Sequence, residues 1–184
     1  MLINKDGGHS FLDVFLPLWR EKRNWIPLYV LMLIVVILKM KRKSWWWILL
    51  LLASVALADV ISSHILKPGV DRLRPCQDGS GIEHLMILRL SNCPGNGSFT
   101  SSHAANHFAI AFFIFFTQRI SMKYSRWLFV LWAAIICWAQ VYVGVHYPGD
   151  ILGGMVIGGS LAYLMNWIYQ RYDHKVFTQK NNKL

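Results

Sequence analysis

Five apolar stretches divided by basic clusters decide what this chain can fold into. They run from Trp25 to Leu38, Trp45 to Leu66, His103 to Gln118, Trp127 to Val145 and Ile151 to Tyr169. Stretches of this length and apolarity satisfy their backbone polar groups in lipid only as helices. The first and third are short for a bilayer and rely on flanking side chains that reach the interface. Of the 184 residues, 55% are hydrophobic and 15% charged, and nine are Trp, a composition that excludes an ordinary soluble domain. The expected fold is all-α, a polytopic integral membrane helical bundle of about five transmembrane helices.

The cations set a topology. Lys39, Lys41, Arg42 and Lys43 separate the first two stretches, Arg119, Lys123 and Arg126 the third and fourth, and Arg171, Lys175, Lys180 and Lys183 follow the fifth. The positive-inside rule assigns all three clusters to the cytoplasm. The net charge of +10 is then topology signal and anionic-lipid contact, and no nucleic-acid partner is expected. The loop from Lys67 to Ser102 and the turn from Tyr147 to Asp150 fall together on the outer side. Lys5, Arg20, Lys22 and Arg23 fall outside too, against the rule. An N-terminal interfacial amphipathic helix over 1–24 resolves this, with Phe11, Leu12, Val14, Phe15, Leu16 and Leu18 on its apolar side and Trp19 and Trp25 at headgroup level. A single transmembrane domain over 25–171 and a basic cytoplasmic tail over 172–184 complete the expected organisation. Polar residues from Met1 to Ser10 give no sign of a cleaved leader.

Three polar groups stand at the ends of these stretches. Lys67 closes one helix, with Pro68 and Gly69 expected to stop it, and Arg74-Pro75 follows. A lysine point charge and an arginine fork suit one phosphate. Ser98, Thr100, Ser101 and Ser102 precede His103 at a helix start, where hydroxyls and unpaired N–H groups form an anion cradle. His146 precedes a turn holding Pro148 and Asp150, and that carboxylate can fix the imidazole tautomer that leaves one nitrogen free to attack. Each alone has a plain reading, as headgroup cations, an N-cap and a capping Asp. Together on one face they describe a site for lipid-borne phosphate. His103 and His107 share a helix face, but Ala104, Ala105 and Asn106 supply no acid between them, so neither metal nor cofactor is expected.

Cys76 and Cys93 lie in the outer loop, where a disulfide would contribute about 3 kcal/mol and two free thiols are the alternative. Cys137 sits inside a span. Asp59, Ser62, Ser63 and His64 are polar residues within the second stretch, and Gly149, Gly153, Gly154, Gly158 and Gly159 offer close helix crossing in the fifth.

Lys67 to Pro75, the Thr100-Ser101-Ser102-His103 run and Val141 to Asp150 resemble the three signatures of the type-2 phosphatidic acid phosphatase superfamily. The resemblance implies a metal-independent membrane phosphatase working through a phosphohistidine. His146 would be the nucleophile, Asp150 its orienter and His103 the leaving-group acid. Lys67, Arg74, Ser101 and the Ser102 backbone N–H would hold the phosphoryl oxygens. Two departures stand out: Thr100-Ser101-Ser102 replaces Pro-Ser-Gly, and Ala139-Gln140 replaces Ser-Arg. The second removes a guanidinium, a loss on the order of 10²- to 10³-fold in rate unless Gln140 donates as an amide and Arg72 or Arg89 supplies the charge. Undecaprenyl diphosphate is the first expected substrate. Phosphatidylglycerol phosphate, phosphatidic acid, a lipid A phosphate, or transfer to a lipid alcohol are the alternatives. The expected location is the plasma (inner) membrane, multi-pass, with the site on the extracytoplasmic (periplasmic) side.

Overall fold

The computed structural model describes residues 2–118 and 125–178, and helices are the only regular structure among them. Arg119 and Lys123 of the second basic cluster, and Lys180 and Lys183 of the tail, lie outside the described residues.

A wide turn at Leu2–Asp6 leads to α1, Ser10–Trp19, whose first N–H groups are capped when the His9 ring accepts from Phe11 N. A short turn at Lys22–Trp25 opens α2, Ile26–Met40. The chain reverses through Lys41–Lys43, with Lys41 at a positive φ of 48°, and returns as α3, Ser44–Asp59. Met32 and Val36 of α2 bury themselves with Trp47, Leu50 and Leu51 of α3. The expected stop at Pro68 does not occur. The helix widens through Val60–Leu66 and continues as α4, Lys67–Val70, until Asp71 turns left-handed (φ 45°). Pro68 lies in the first turn of the new register, where a missing N–H costs nothing.

After the loop come α5, Ser102–Thr117; α6, Ser125–Tyr142; and α7, Pro148–Thr178, which runs past residue 171, the expected start of the tail. Gly144 ends α6 with φ +88°, and the Ile87 carbonyl lies so close that a Cβ there would sit 3.1 Å from it. Helices α5 and α7 cross backbone against backbone: a Cβ on Gly158 would lie 2.2 Å from Ala105 O, and one on Gly154 would lie 2.6 Å from Ser101 O. That crossing is the centre of the molecule, with α3 and α6 packed around it.

Segments 22–70, which holds α2, the reversal and α3–α4, and 148–172 are long and apolar enough to cross a membrane; Arg126–Tyr142 is a shorter apolar helix. The outward faces carry Leu31, Leu38, Leu52, Leu128, Leu131, Leu152 and Val156, each more than half exposed. A continuous apolar surface of that kind fits lipid and not water. Residues 2–25 lie against the end of α6: Leu16 is buried among Ala139, Tyr142, Val143 and Val145, and Phe15, Trp19, Trp25 and Trp132 form a row of ring contacts.

Candidate active site

The loop from Asp71 to Ser101 is pinned at both ends to the helices that surround a cavity of about 340 Å³. Cys76 and Cys93 are joined in a disulfide with Cα atoms 5.9 Å apart, which folds the loop on itself. Arg74, 4% exposed, is locked in place: its Nε donates to Asn96 O (2.9 Å), Nη2 to Asn96 Oδ1 (2.6 Å) and Nη1 to Val145 O (3.0 Å). Asn96 carries no sequence signal beyond its place in a loop.

His146 stands between a cation and an anion. Its Nε2 is 3.1 Å from Arg74 Nη1 and its Nδ1 is 3.3 Å from Asp150 Oδ2. A guanidinium only donates, so Nε2 accepts and Nδ1 carries the proton toward the carboxylate. This is the tautomer required of a nucleophile at Nε2. Burial, then the Arg74 and Lys67 charges, hold the imidazole well below the ordinary histidine range, so it is neutral at pH 7. Burial and the Arg20 charge bring Arg74 itself down to about 10.

Asp150 is fully buried and fully used. Oδ2 accepts from Ser98 Oγ and from Tyr147 N (2.8 Å), and Oδ1 accepts from Arg72 Nη2. The residue therefore caps the start of α7 and orients His146 with the same side chain. Arg72 lies over the Tyr147 ring at 4.5 Å, and its charge is committed to Asp150. Arg89 is likewise committed elsewhere, to Asp13 and to Tyr142 O. The expectation that Arg72 or Arg89 supplies the charge missing at Gln140 is thus corrected: neither lines the cavity.

The cavity brings together Lys67, Arg74, Ser102, His103, Gln140 and His146 of the expected set. Ser101 lies behind its wall, where Oγ accepts from Ala104 N (3.3 Å) as N-cap of α5 and its own N–H donates to Asp150 O (3.1 Å). The two helix starts are thereby tied directly to each other. Beside His103, the wall continues with Asp59, Ser63, Asn106 and His107. Asp59 Oδ1 accepts from Asn106 Nδ2 (2.9 Å), and Ser63 Oγ lies 2.7 Å from Ser102 Oγ. Ser62 instead bonds to Asp59 O, and His64 is exposed. The His107 ring is held between His103 O (2.8 Å) and Tyr29 OH (3.3 Å). Arg20 and Lys22 complete the rim, from a region where sequence patterning gave only an interfacial helix.

A buried neutral imidazole backed by a carboxylate, a second histidine across the cavity and converging cations form a machine for displacement at phosphorus. The comparisons agree with this chemistry. A family model described as the PAP2 superfamily matches residues 46–173. The chain is 31% identical over 181 residues to a lipid A 4'-phosphatase of Bacteroides thetaiotaomicron, covering 96% of this chain and 76% of that protein. It is 34% identical over 80 residues to the putative undecaprenyl-diphosphatase YbjG of Escherichia coli, covering 44% and 39%. Among solved structures, Aquifex aeolicus LpxE superposes with a TM-score of 0.66 at 25% identity, over 89% of this chain and 90% of that one.

Proposed function

The chain belongs to the PAP2 superfamily of membrane lipid phosphatases, and from that premise we propose that it is a histidine-nucleophile enzyme that removes phosphate from a saccharide lipid. The observation that carries the reading is the His146 geometry, with Nε2 turned to Arg74 and Nδ1 to Asp150.

His146 Nε2 attacks phosphorus while the bond to the lipid oxygen breaks, and His103 gives that oxygen its proton. Water then attacks the phosphohistidine, His103 takes the water's proton, and inorganic phosphate leaves with His146 restored. Lys67, Arg74 and the Ser102 N–H hold the phosphoryl oxygens, and Asp150 keeps the attacking tautomer in place. No step calls for a metal.

Two features favour a sugar phosphate over the first sequence expectation, undecaprenyl diphosphate. Two relatives matched along 96% and 88% of the chain are named lipid A 4'-phosphatases, whereas the matches to a phosphatidylglycerophosphatase B and to the undecaprenyl-diphosphatase cover 66% and 44% of it. The wall next to His103, where the leaving oxygen would lie, also carries Asp59, Ser63 and Asn106, groups suited to neighbouring hydroxyls. Undecaprenyl diphosphate is the second reading. In either case the helices cross the bilayer about five times, with residues 1–24 at the interface and the site facing the extracytoplasmic side.

The test is phosphate release by the purified protein in detergent with EDTA, from 4'-phosphorylated lipid A and from undecaprenyl diphosphate, beside His146→Ala. Release from lipid A that survives chelation and vanishes in the variant supports the reading. Faster release from undecaprenyl diphosphate reverses the order of substrates, and chelation-sensitive release overturns the mechanism.

A further inference from the structure

Position 140 faces the cavity as a neutral amide, yet a guanidinium stands there all the same. Gln140 is fully buried, and its Oε1 accepts from Arg20 Nε (3.2 Å) and Arg20 Nη2 (3.0 Å). Arg20 lines the same cavity as Lys67, Arg74, His103 and His146. We propose that Arg20 is a phosphate-binding catalytic residue of this site, delivered from the end of the N-terminal helix, with Gln140 as the residue that positions it. This rests on the reading of the cavity as the phosphatase site.

Three observations carry the assignment. First, the two bonds to Gln140 use one edge of the guanidinium and leave its remaining N–H donors for a ligand. Among the described residues no carboxylate pairs with Arg20, and Glu21 turns to Arg23 instead. A partly buried cation hydrogen-bonded to a neutral amide, with the Glu21 carboxylate acting on it only through space, has lost water without gaining a contact anion, and a phosphoryl oxygen supplies one. Second, Gln140 Nε2 is buried without a hydrogen-bond partner, so the pair has a spare amide donor at the same wall. Third, the backbone at Arg20 is fixed on both sides. Arg20 N donates to Leu16 O (3.0 Å), and the carbonyls ending α1 are occupied, Leu18 O by Asn24 Nδ2 (2.7 Å) and Trp19 O by Trp25 Nε1 (2.7 Å). Such preorganisation is what a charge donor in a displacement site requires.

The charge is also felt by the reacting groups. After burial, Arg20 is the cause that lowers Arg74, and it is among the cations that hold His146 neutral.

The experiment compares full-length wild type, Arg20→Gln, Arg20→Gln/Gln140→Arg and His146→Ala in detergent. It reads kcat/KM on the lipid phosphate that wild type cleaves fastest, inhibition by orthovanadate as a mimic of the pentacoordinate transition state, and the thermal midpoint. In Arg20→Gln, kcat/KM falls about 10²-fold and the vanadate inhibition constant rises, with the midpoint unchanged. The double variant, which moves the guanidinium to the other side of the same contact, recovers roughly tenfold or more. A kcat/KM within about twofold of wild type in Arg20→Gln overturns the proposal, as does a loss of activity with vanadate inhibition unchanged. Activity that withstands His146→Ala overturns the site reading itself, whereas sensitivity to His146→Ala without sensitivity to Arg20→Gln overturns only the role of Arg20.

Discussion

Where α5 crosses α7, peptide groups meet with no side chain between them; where residues 2–25 meet the rest of the molecule, the contact runs through side chains. At the first, Gly158 leaves no space for a methyl group against Ala105 O. At the second, Asn4 Nδ2 donates to Ile87 O (2.9 Å) and Tyr142 O (2.7 Å) while its Oδ1 accepts from Ile87 N (2.8 Å), Tyr142 OH donates to Asp13 (2.6 Å), and Leu16 fills a recess in α6. The crossing carries His103 and leads into His146 and Asp150. The N-terminal layer carries Arg20. The difference separates the parts that perform the displacement from a part that strengthens it.

The comparison can be broken at its strongest point first. His146→Ala should lower lipid phosphate release by about 10⁴-fold or more, since it removes the nitrogen held for attack between Arg74 and Asp150. A residual rate above that level would mean the crossing does not carry the chemistry.

Gly158→Ala should destabilise the fold by about 3 kcal/mol, because the obstacle is backbone and cannot step aside. Gly149→Ala, on the same helix with nothing within 4 Å, should change stability by less than about 0.5 kcal/mol. Thermal unfolding of the two variants in one detergent checks both, and equal midpoints would refute the close crossing.

Asn4→Ala leaves Ile87 N and Ile87 O without their partner and Tyr142 O with Arg89 Nη1 alone, a loss of about 2 kcal/mol felt by the layer alone. Hydrogen exchange should accelerate in residues 2–25 and stay unchanged in α5. Uniform acceleration would show one cooperative unit in place of two.

The smallest effect is on pH. His146 attacks only when neutral, which sets the acidic limb of kcat/KM, while His103, as the proton donor, must be protonated and sets the basic limb. An ordinary histidine would place the acidic fall near 6.5; burial and the surrounding cations lower it, so that fall should lie below 6.5. Arg74→Gln removes one lowering cause and should move the acidic limb upward. A limb at 6.5 in the wild type would mean that His146 is more hydrated than the structure has it.

Much of this was legible in the chain. Apolar runs located α2, α3, α5, α6 and α7 because lipid leaves the backbone no alternative to helix, and the spacing of His146 and Asp150 placed the imidazole and carboxylate in contact. The Cys76–Cys93 pairing stood open in the sequence against two free thiols, and the structure shows the bond. What escaped depended on competition between partners. Arg72 was one of two loop candidates to replace the missing guanidinium, but Asp150, buried beside it, takes that charge first. Ser101 was a phosphate ligand by pattern, yet the N-terminus of α5 needs a cap and Ser101 is the residue in place to give one. Pro68 signalled a stop, and the widening at Val60–Leu66 absorbed it. Arg20 was counted only as a charge on an interfacial arm, because nothing in local pattern tells which distant helix an amphipathic segment will lie against.

The close crossing also works as a gauge. With Ser101 N bonded to Asp150 O at 3.1 Å and Gly154 admitting the start of α5, the span between proton donor and attacking nitrogen is measured out in peptide units. No side-chain exchange can lengthen or shorten it by a fraction of an ångström; a substitution there either fits or breaks the frame. Accommodation of bulkier or differently charged leaving groups must therefore come from which side chains the Asp71–Ser101 loop and the N-terminal layer place around a reaction distance that stays constant.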